Sequence, residues 1–321
     1  MNYDEFVKEV QKVLPRHVPR RSWCKSRKPV RRALNLLLSD WHIGSHLLKT
    51  EVPLPYGPKE ETARIGYVVR ETVEYKTQYR DNTELHVHLL GDLPNGVLHD
   101  PREGLEYTTQ FGMTVNYLIQ VLTHFGQEFP RVLVHFTPGN HGRIISRHKD
   151  RAVFQKWDSF ESMVYLAVKM AVQCDNVIFD ELVRTPYYIV NLFGKKGIFA
   201  HGDGGFGSGV PCKRLDLKSM SAMAAQWTMA RHVGGPFDWF AVGHFHISSQ
   251  TVLSNGATMM VNSSLIPVTP FGLHINAPDV ACSQFLVESV PGYIVGDTRR
   301  LSVDNAERST KNRGIIEPCT I

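Results

Sequence analysis

The sequence predicts an α/β fold, and three observations carry that reading. From Ala33 onward, short apolar runs alternate with stretches whose apolar residues recur every three to four positions, the pattern of strands interleaved with helices. Hydrophobic residues make up 42% of 321, ample for one large core or two modest ones. Aspartates, an asparagine and histidines fall just past the ends of the apolar runs, the edge where open α/β sheets build their sites.

Taken in order, residues 4–14 read as a short amphipathic helix, with Phe6, Val10 and Val13 at helical spacing. A basic, proline-punctuated arm follows to residue 32. ALNLLLSD (33–40) reads as a buried strand, and 59–80 as a helix with Ile65, Val68, Val69, Thr72 and Val73 on its apolar stripe. ELHVHLLGD (84–92) is a second strand, 104–125 a second helix and RVLVHFTPGN (131–140) a third strand. Further on, 158–173 reads as a helix, NVIFD and TPYYIVNLFG as strands, and GKKG (194–197) as a hairpin turn. GIFAHGD (197–203) is a strand, 214–231 a Met- and Ala-rich helix, and DWFAVGHFH (238–246) a strand. Residues 249–302 read as strands with turns at 254–256 and 291–292. The expected organisation is a helix and basic arm over 1–32, one domain over 33–302, and a polar tail over 303–321.

Charge is unevenly placed. Arg16, Arg20, Arg21, Lys25, Arg27, Lys28, Arg31 and Arg32 lie together without an acidic residue, so a net +5 overall leaves about −3 for the rest. A basic arm on a mildly acidic body fits attraction to a phosphate backbone and fits a solvated linker equally. Five well-separated cysteines without a C-x-x-C pair argue against a disulfide framework and for a reducing compartment. The start, with Asp4, Glu5 and Glu9, is not a secretory signal, and no apolar run approaches the roughly 20 residues a bilayer span needs. A soluble cytoplasmic protein with no membrane partner is the expectation.

The polar residues at the strand ends are Asp40 and His42, Asp92, Asn140 and His141, His201, and His244 with His246. Any one alone would read as a cap or a satisfied core histidine; so many at equivalent ends point to one site. Asp40-x-His42 and His244-x-His246 are each two residues apart, which in an extended chain puts both side chains on one side. Carboxylates, an amide oxygen and imidazoles without thiolate suit Mn²⁺, Fe²⁺ or Zn²⁺ better than a structural zinc site. More than four donors suggests two ions sharing a carboxylate, the arrangement that clamps both oxygens of a phosphoryl displacement.

In order, S-D-W-H (39–42), G-D-L-P-N (91–95), G-N-H-G-R (139–143), H-G-D (201–203) and G-H-F-H (243–246) resemble the five blocks of the calcineurin-like metallophosphoesterase superfamily. The resemblance covers about 33–246. It implies a four-layer α/β/β/α sandwich of two mixed sheets flanked by helices. It also implies a first ion held by Asp40, His42, Asp92 and His246, and a second by Asn140, His201 and His244, with Asp92 bridging. His141 would face the scissile phosphate and assist the leaving group, and a hydroxide acidified by the ions would be the nucleophile. Phosphoprotein phosphatases of this superfamily carry an acidic residue after G-N-H and a D-R-G run after the second block. Gly142-Arg143 and Leu93-Pro94-Asn95-Gly96 stand here instead, which turns the expectation away from phosphoproteins. G-N-H-G-R is similar to phage-encoded and SbcD-type DNA exonucleases, so a Mn²⁺-dependent DNA nuclease is the leading expectation, with Fe, Zn or Mg as other candidate ions. A nucleotide or cyclic-nucleotide phosphoesterase is the alternative, and a non-catalytic scaffold the third reading.

Arg143, Asn95 and His99 are candidate substrate contacts; for the basic stretch from Arg143 to Arg151, gripping phosphates and facing water are both open readings. HGDGGFGSG (201–209) is not a Walker loop, since no G-K-[ST] follows. Trp23, Trp41, Phe206 and Phe245 read as packing residues before base-stacking ones. A homodimer through the 104–125 helix and a coiled-coil ATPase partner are implied by the resemblance only.

Overall fold

The computed structural model describes residues 29–79, 82–96, 104–143, 157–182, 184–204, 207, 209–229, 233–277, 281–292, 296–304, 306 and 314–319. The helix expected over 4–14, the arm up to residue 28, His99, Phe206 and the basic stretch 144–156 lie outside them.

Among the described residues the chain runs β1 (Arg32–Leu38), α1 (Pro58–Thr77), β2 (Thr83–Leu89), α2 (Tyr107–Glu128), β3 (Val132–Phe136), α3 (Phe160–Ala171) and β4 (Val177–Phe179). It continues through β5 (Tyr187–Leu192), β6 (Lys195–Ala200), β7 (Gly209–Val210), β8 (Arg214–Leu215), α4 (Leu217–Met229), β9 (Trp239–Val242), β10 (Ser249–Val252) and β11 (Thr258–Val261). It closes with α5 (Pro270–His274), β12 (Ser283–Ser289) and β13 (Thr298–Ser302).

The first four strands pair in parallel, each joined to the next through a helix, and β12 and β13 extend the sheet antiparallel to give the order β13-β12-β1-β2-β3-β4. A strand covered on both faces cannot alternate polar and apolar, and RALNLLL reads as it does because six of its seven residues are buried. The second sheet has the order β10-β11-β9-β6-β5. Between the sheets lie Ala33, Leu37, Phe199, Trp239, Ala241, Met260, Phe285 and Val287. On the outer face of the first sheet α1, α2 and α3 lay down Ile65, Val68, Val69, Leu118, Leu122, Val164 and Val168. On the outer face of the second, α4 contributes Met220, Ala224 and Trp227. The fold is the four-layer α/β/β/α sandwich. Each fully buried Leu or Val contributes about 1.5–3 kcal/mol, so the layers and not helix propensity hold α1–α3 in place.

Helix ends follow local chemistry. Pro58 opens α1 with Glu60 and Glu61 in the first turn and Lys76 in the last, complementing the helix dipole. Ser159 caps α3 by accepting the Ser162 amide at 3.2 Å. Several expected boundaries move. The expected strands 131–140 and 238–246 end early, at Phe136 and Val242, and the site residues sit in the turns beyond. The hairpin turn is Phe193-Gly194, at φ 50° and 80°, and both lysines of G-K-K-G belong to β6. Residues 214–215 form β8 before α4 begins, and α5 interrupts the segment expected to be strands only. Near the C-terminus Ile316 is buried and Glu317 exchanges two hydrogen bonds with Gln120 of α2, so this stretch packs on the first sheet's helices. No described helix is long and apolar enough to cross a membrane.

Candidate metal centre

The site lies where β1, β2, β3, β6 and β9 end, and its residues occupy an unusual backbone conformation. Eight described non-glycine residues have positive φ, and five of them are Asp40 (53°), His42 (49°), Asp92 (55°), His244 (68°) and His246 (54°). Asp, Asn and His enter this region more readily than other side chains, yet each such residue still costs on the order of 1–3 kcal/mol and persists only where its surroundings enforce it. The two-residue spacing therefore works differently from the expected extended chain. Each pair sits in a tight turn, and the turn splits His244 from His246.

The donor atoms form three overlapping groups: Asp40, His42 and His246; His42, Asp92 and His141; and Asp92, His201 and His244, all donors within a group lying within 4.8 Å of one another. His42 Nε2 lies 3.1 Å from His246 Nε2, and Asp40 Oδ1 lies 3.4 Å from the latter. Asp40 also fixes the opposite turn, accepting the His244 amide on both oxygens at 3.1 and 3.0 Å. Asp92 stands between the groups. Its Oδ1 accepts the His141 amide at 2.8 Å, and its Oδ2 faces His201 Nε2 at 3.0 Å and His141 Nε2 at 3.9 Å. Close approach is possible because Gly139 packs on the Asp92 carboxylate, where a Cβ would overlap Oδ1.

His201 decides whether these residues fit a cation. Its Nδ1 meets the Leu90 carbonyl at 2.7 Å, while its Nε2 faces both Asp92 Oδ2 and the Asn140 Oδ1 at 3.0 Å. All three partners are acceptors. A neutral ring donating to Leu90 brings a third lone pair toward the two oxygens, an arrangement that either a proton on Nε2 or a metal cation among them relieves. Burial alone would depress this ring, but the Asp92 carboxylate raises it to about 9. Burial likewise opposes ionisation of Asp92, yet His201 and His141 hold its carboxyl well below the usual carboxylate range. Desolvation, with His201 adding to it, holds His244 down to about 3, leaving that ring neutral with a lone pair to give. The donor set fits a divalent cation on chemistry and placement together.

A cleft of about 180 Å³ opens on these groups. His42, Asp92, Asn140, His141, His244 and His246 form its floor, and Leu47, Pro211, Ile266 and Phe271 an apolar wall. His141 Nδ1 donates to the Asn95 carbonyl at 2.8 Å, which turns Nε2 toward Asp92. Asn95 lines the cleft with its Oδ1 accepting from Ser45 Oγ at 2.8 Å. Arg143 does not line it. Its guanidinium pairs with Asp203 at 2.8 Å, joining the G-N-H-G-R and H-G-D segments. Trp41 and Phe245 are 1% and 2% exposed, packing residues as read from the sequence.

Sequence reasoning missed three features. Cys212 lines the cleft with Sγ 3.4 Å from His246 Nδ1. Glu161 on α3 is fully buried against two of the site's turns, and burial, with Asp92 adding to it, pushes its carboxyl up to about 7. A separate stack of His86, His88 and His135 lies between the sheets. The H-x-H spacing in β2 was the one signal for that stack.

No protein-family model and no curated protein matches the chain. Among solved structures the chain is similar to a hypothetical protein from Pyrococcus horikoshii, at 10% identity over 84% of this chain and 87% of that one, with a TM-score of 0.44. It is similar to a dimetal phosphatase from Danio rerio, at 12% identity over 86% and 100% of the two chains, TM-score 0.42. It is also similar to Vps29 complexed with zinc from Entamoeba histolytica, at 10% identity over 84% and 99%, TM-score 0.31. The chemistry rests on the residues of this chain.

Proposed function

We propose that this protein is a dinuclear-metal phosphodiesterase that cleaves nucleic acid, with DNA the expected substrate and Mn²⁺ the expected ion. The observation that carries the reading is the convergence of Asp92 Oδ2, Asn140 Oδ1 and His201 Nε2 within 3.0 Å contacts, beside a second donor group of Asp40, His42 and His246. Asp40, His42, Asp92 and His246 would hold one ion, and Asp92, Asn140, His201 and His244 the other. Bound there, divalent cations supply Lewis acidity toward phosphoryl oxygens and lower the pKa of water.

The chain's own groups do the remainder. The Asn95 carbonyl takes the Nδ1 proton of His141, so a second proton on that ring resides at Nε2, facing the cleft. When water attacks phosphorus, releasing a proton to solvent, and the bond to the leaving oxygen breaks, the doubly protonated His141 ring donates its Nε2 proton to the departing alkoxide. Asp92 accepts the His141 amide and so sets where that ring stands. The wall of Leu47, Ile266 and Phe271 keeps bulk water from the reacting centre and strengthens electrostatic contacts there. The nuclease assignment is supported by the resemblance of G-N-H-G-R (139–143) to DNA exonucleases and by the basic stretch 16–32. End-labelled single- and double-stranded DNA incubated with Mn²⁺ should give a ladder that the His141→Ala protein does not produce; intact DNA with both proteins would reject the nuclease.

A second reading has its own observation. The cleft is small, and none of its described lining residues is Lys or Arg, which suits a nucleotide or cyclic phosphodiester better than a polymer. Hydrolysis of 2′,3′-cyclic nucleotides by a protein that leaves DNA intact would select it.

A further inference from the structure

Resting on that two-metal reading, we infer that Glu161 is a positioning residue whose carboxylate straps the Asp92 turn to the Asn140–His141 turn and so sets the span of the second donor set. Glu161 Oε1 accepts the Leu93 amide at 2.8 Å, and Oε2 accepts the Gly139 amide at 2.6 Å. Leu93 directly follows Asp92, and Gly139 directly precedes Asn140. One carboxylate, 0% exposed, therefore holds both turns through their backbones. Two N–H donors on the two oxygens of one rigid planar group fix the separation of the turns more tightly than a contact between flexible side chains could.

The surroundings are built to bring Glu161 there. Ser159 caps α3 and places Glu161 in its first turn, where the helix dipole favours a negative charge. The Phe160 amide donates to the Gly142 carbonyl at 2.9 Å, tying the start of α3 to the end of G-N-H-G. A Cβ at position 142 would lie 2.9 Å from Glu161 Cβ and 3.1 Å from its amide nitrogen, so the glycine gives α3 its close approach. Glu61 of α1 makes a useful contrast. It too is fully buried, but it accepts one amide, Gly44 at 2.7 Å, and its other oxygen has no hydrogen-bond partner. Glu61 steadies one turn, whereas Glu161 joins two.

The consequence is selective. The set Asp92, Asn140, His201 and His244 draws on both strapped turns, whereas Asp40, His42, Asp92 and His246 draw on one of them. Loosening the strap acts mainly on the first of these sets. Outer hydrogen-bond partners of metal-binding side chains change metal affinity by roughly 10–100-fold.

The test is calorimetric titration of the metal-stripped protein with Mn²⁺. The wild type should bind two ions. Glu161→Gln keeps the size of the side chain but turns an amide N–H toward one of the two backbone donors, and it should weaken one ion by about 10–100-fold and leave the other within about threefold. Val168→Ala, which hollows the same helix's core face, should lower the melting temperature and move neither constant. Glu161→Asp, too short to reach both amides, serves if the Gln protein does not fold, and should show the same one-sided loss. Two unchanged constants in a folded Glu161 variant, or equal loss at both, would overturn the inference. A wild type that binds no Mn²⁺ would overturn the two-metal reading and this inference with it.

Discussion

Two clusters of buried imidazoles lie in this molecule, and they are not alike. In the stack between the sheets, His86, His88 and His135 have ring planes within 12–21° of parallel, with centroids 4.8–6.1 Å apart. Their nitrogens are all occupied. His86 meets Glu84 at 3.0 Å and His135 at 2.9 Å; His135 meets Asp180 at 2.6 Å; His88 meets Tyr188 at 2.9 Å and Asn35 at 3.1 Å. Each ring nitrogen meets a single partner, so no nitrogen is left to give. At the strand ends the rings are crossed, at 61–77° for the His42 pairs, and a single nitrogen, His201 Nε2, meets two acceptors at once, Asp92 Oδ2 and Asn140 Oδ1. Both clusters offer three imidazole or carboxylate donors within 4.8 Å of one another. What separates the candidate metal centre from the histidine stack is the crowding of several acceptors on one ring nitrogen, not the residue types.

The two clusters should differ most when Asp92 is replaced. Asp92→Ala should abolish binding of both ions, measured as metal content after dialysis, because this carboxylate faces both donor groups; His88→Gln should leave metal content as it is. A protein that loses metal through the histidine stack, and not through Asp92, would invert the account. Next in size, His141→Ala should reduce turnover by roughly 10²–10⁴-fold with metal content nearly unchanged, the usual worth of a positioned acid–base group. Turnover that stays level would remove the ring from proton transfer.

How far the sequence reached follows the same division. The residues that the structure brings together at the candidate site were legible because each follows an apolar run, and Asp, Asn and His just past strand ends are recognisable as a set. Their geometry was not. A period-2 argument placed His244 and His246 on one side, whereas positive φ at both sends His246 toward Asp40 and His42, and His244 toward Asp92 and His201. Backbone handedness at a single residue leaves no periodic trace. The strand and helix layers were legible from patterning, while turn positions slipped by a few residues because DWFAVGHFH remains apolar-rich beyond the last ladder bond. The histidine stack was hidden for another reason: it depends on the parallel register that sets His88 opposite His135. Glu161 bonds to Gly139 across a separation of 22 residues, a contact no local pattern announces.

Two smaller effects sharpen the comparison. Chelation should lower the melting temperature, since a ligand at 100 times its Kd stabilises the folded state by about 2.7 kcal/mol, and Asp92→Ala should erase that difference. The stack should instead report on pH. Burial, opposed in part by Glu84, holds His86 below the ordinary histidine range, and burial, with His135 and His86 adding to it, holds His88 well below. For these two rings the unfolded chain therefore binds protons below about pH 6.5 that the folded chain does not, and their contribution to stability falls as pH drops from there, by at most about 1.4 kcal/mol per pH unit for each ring. Urea unfolding of the metal-free proteins between pH 5 and 7 should show the wild type losing more stability than His88→Gln as pH falls, a difference in slope of up to about one proton. An identical slope in the variant would mean that His88 is not held neutral.

Whether two ions share Asp92 can be read from anomalous diffraction by crystals soaked in Mn²⁺. Two peaks should flank the Asp92 carboxylate, one beside Asp40, His42 and His246 and one beside Asn140, His201 and His244, with nothing at His86, His88 and His135. A peak in the histidine stack, or none at Asp92, would contradict the two-metal reading.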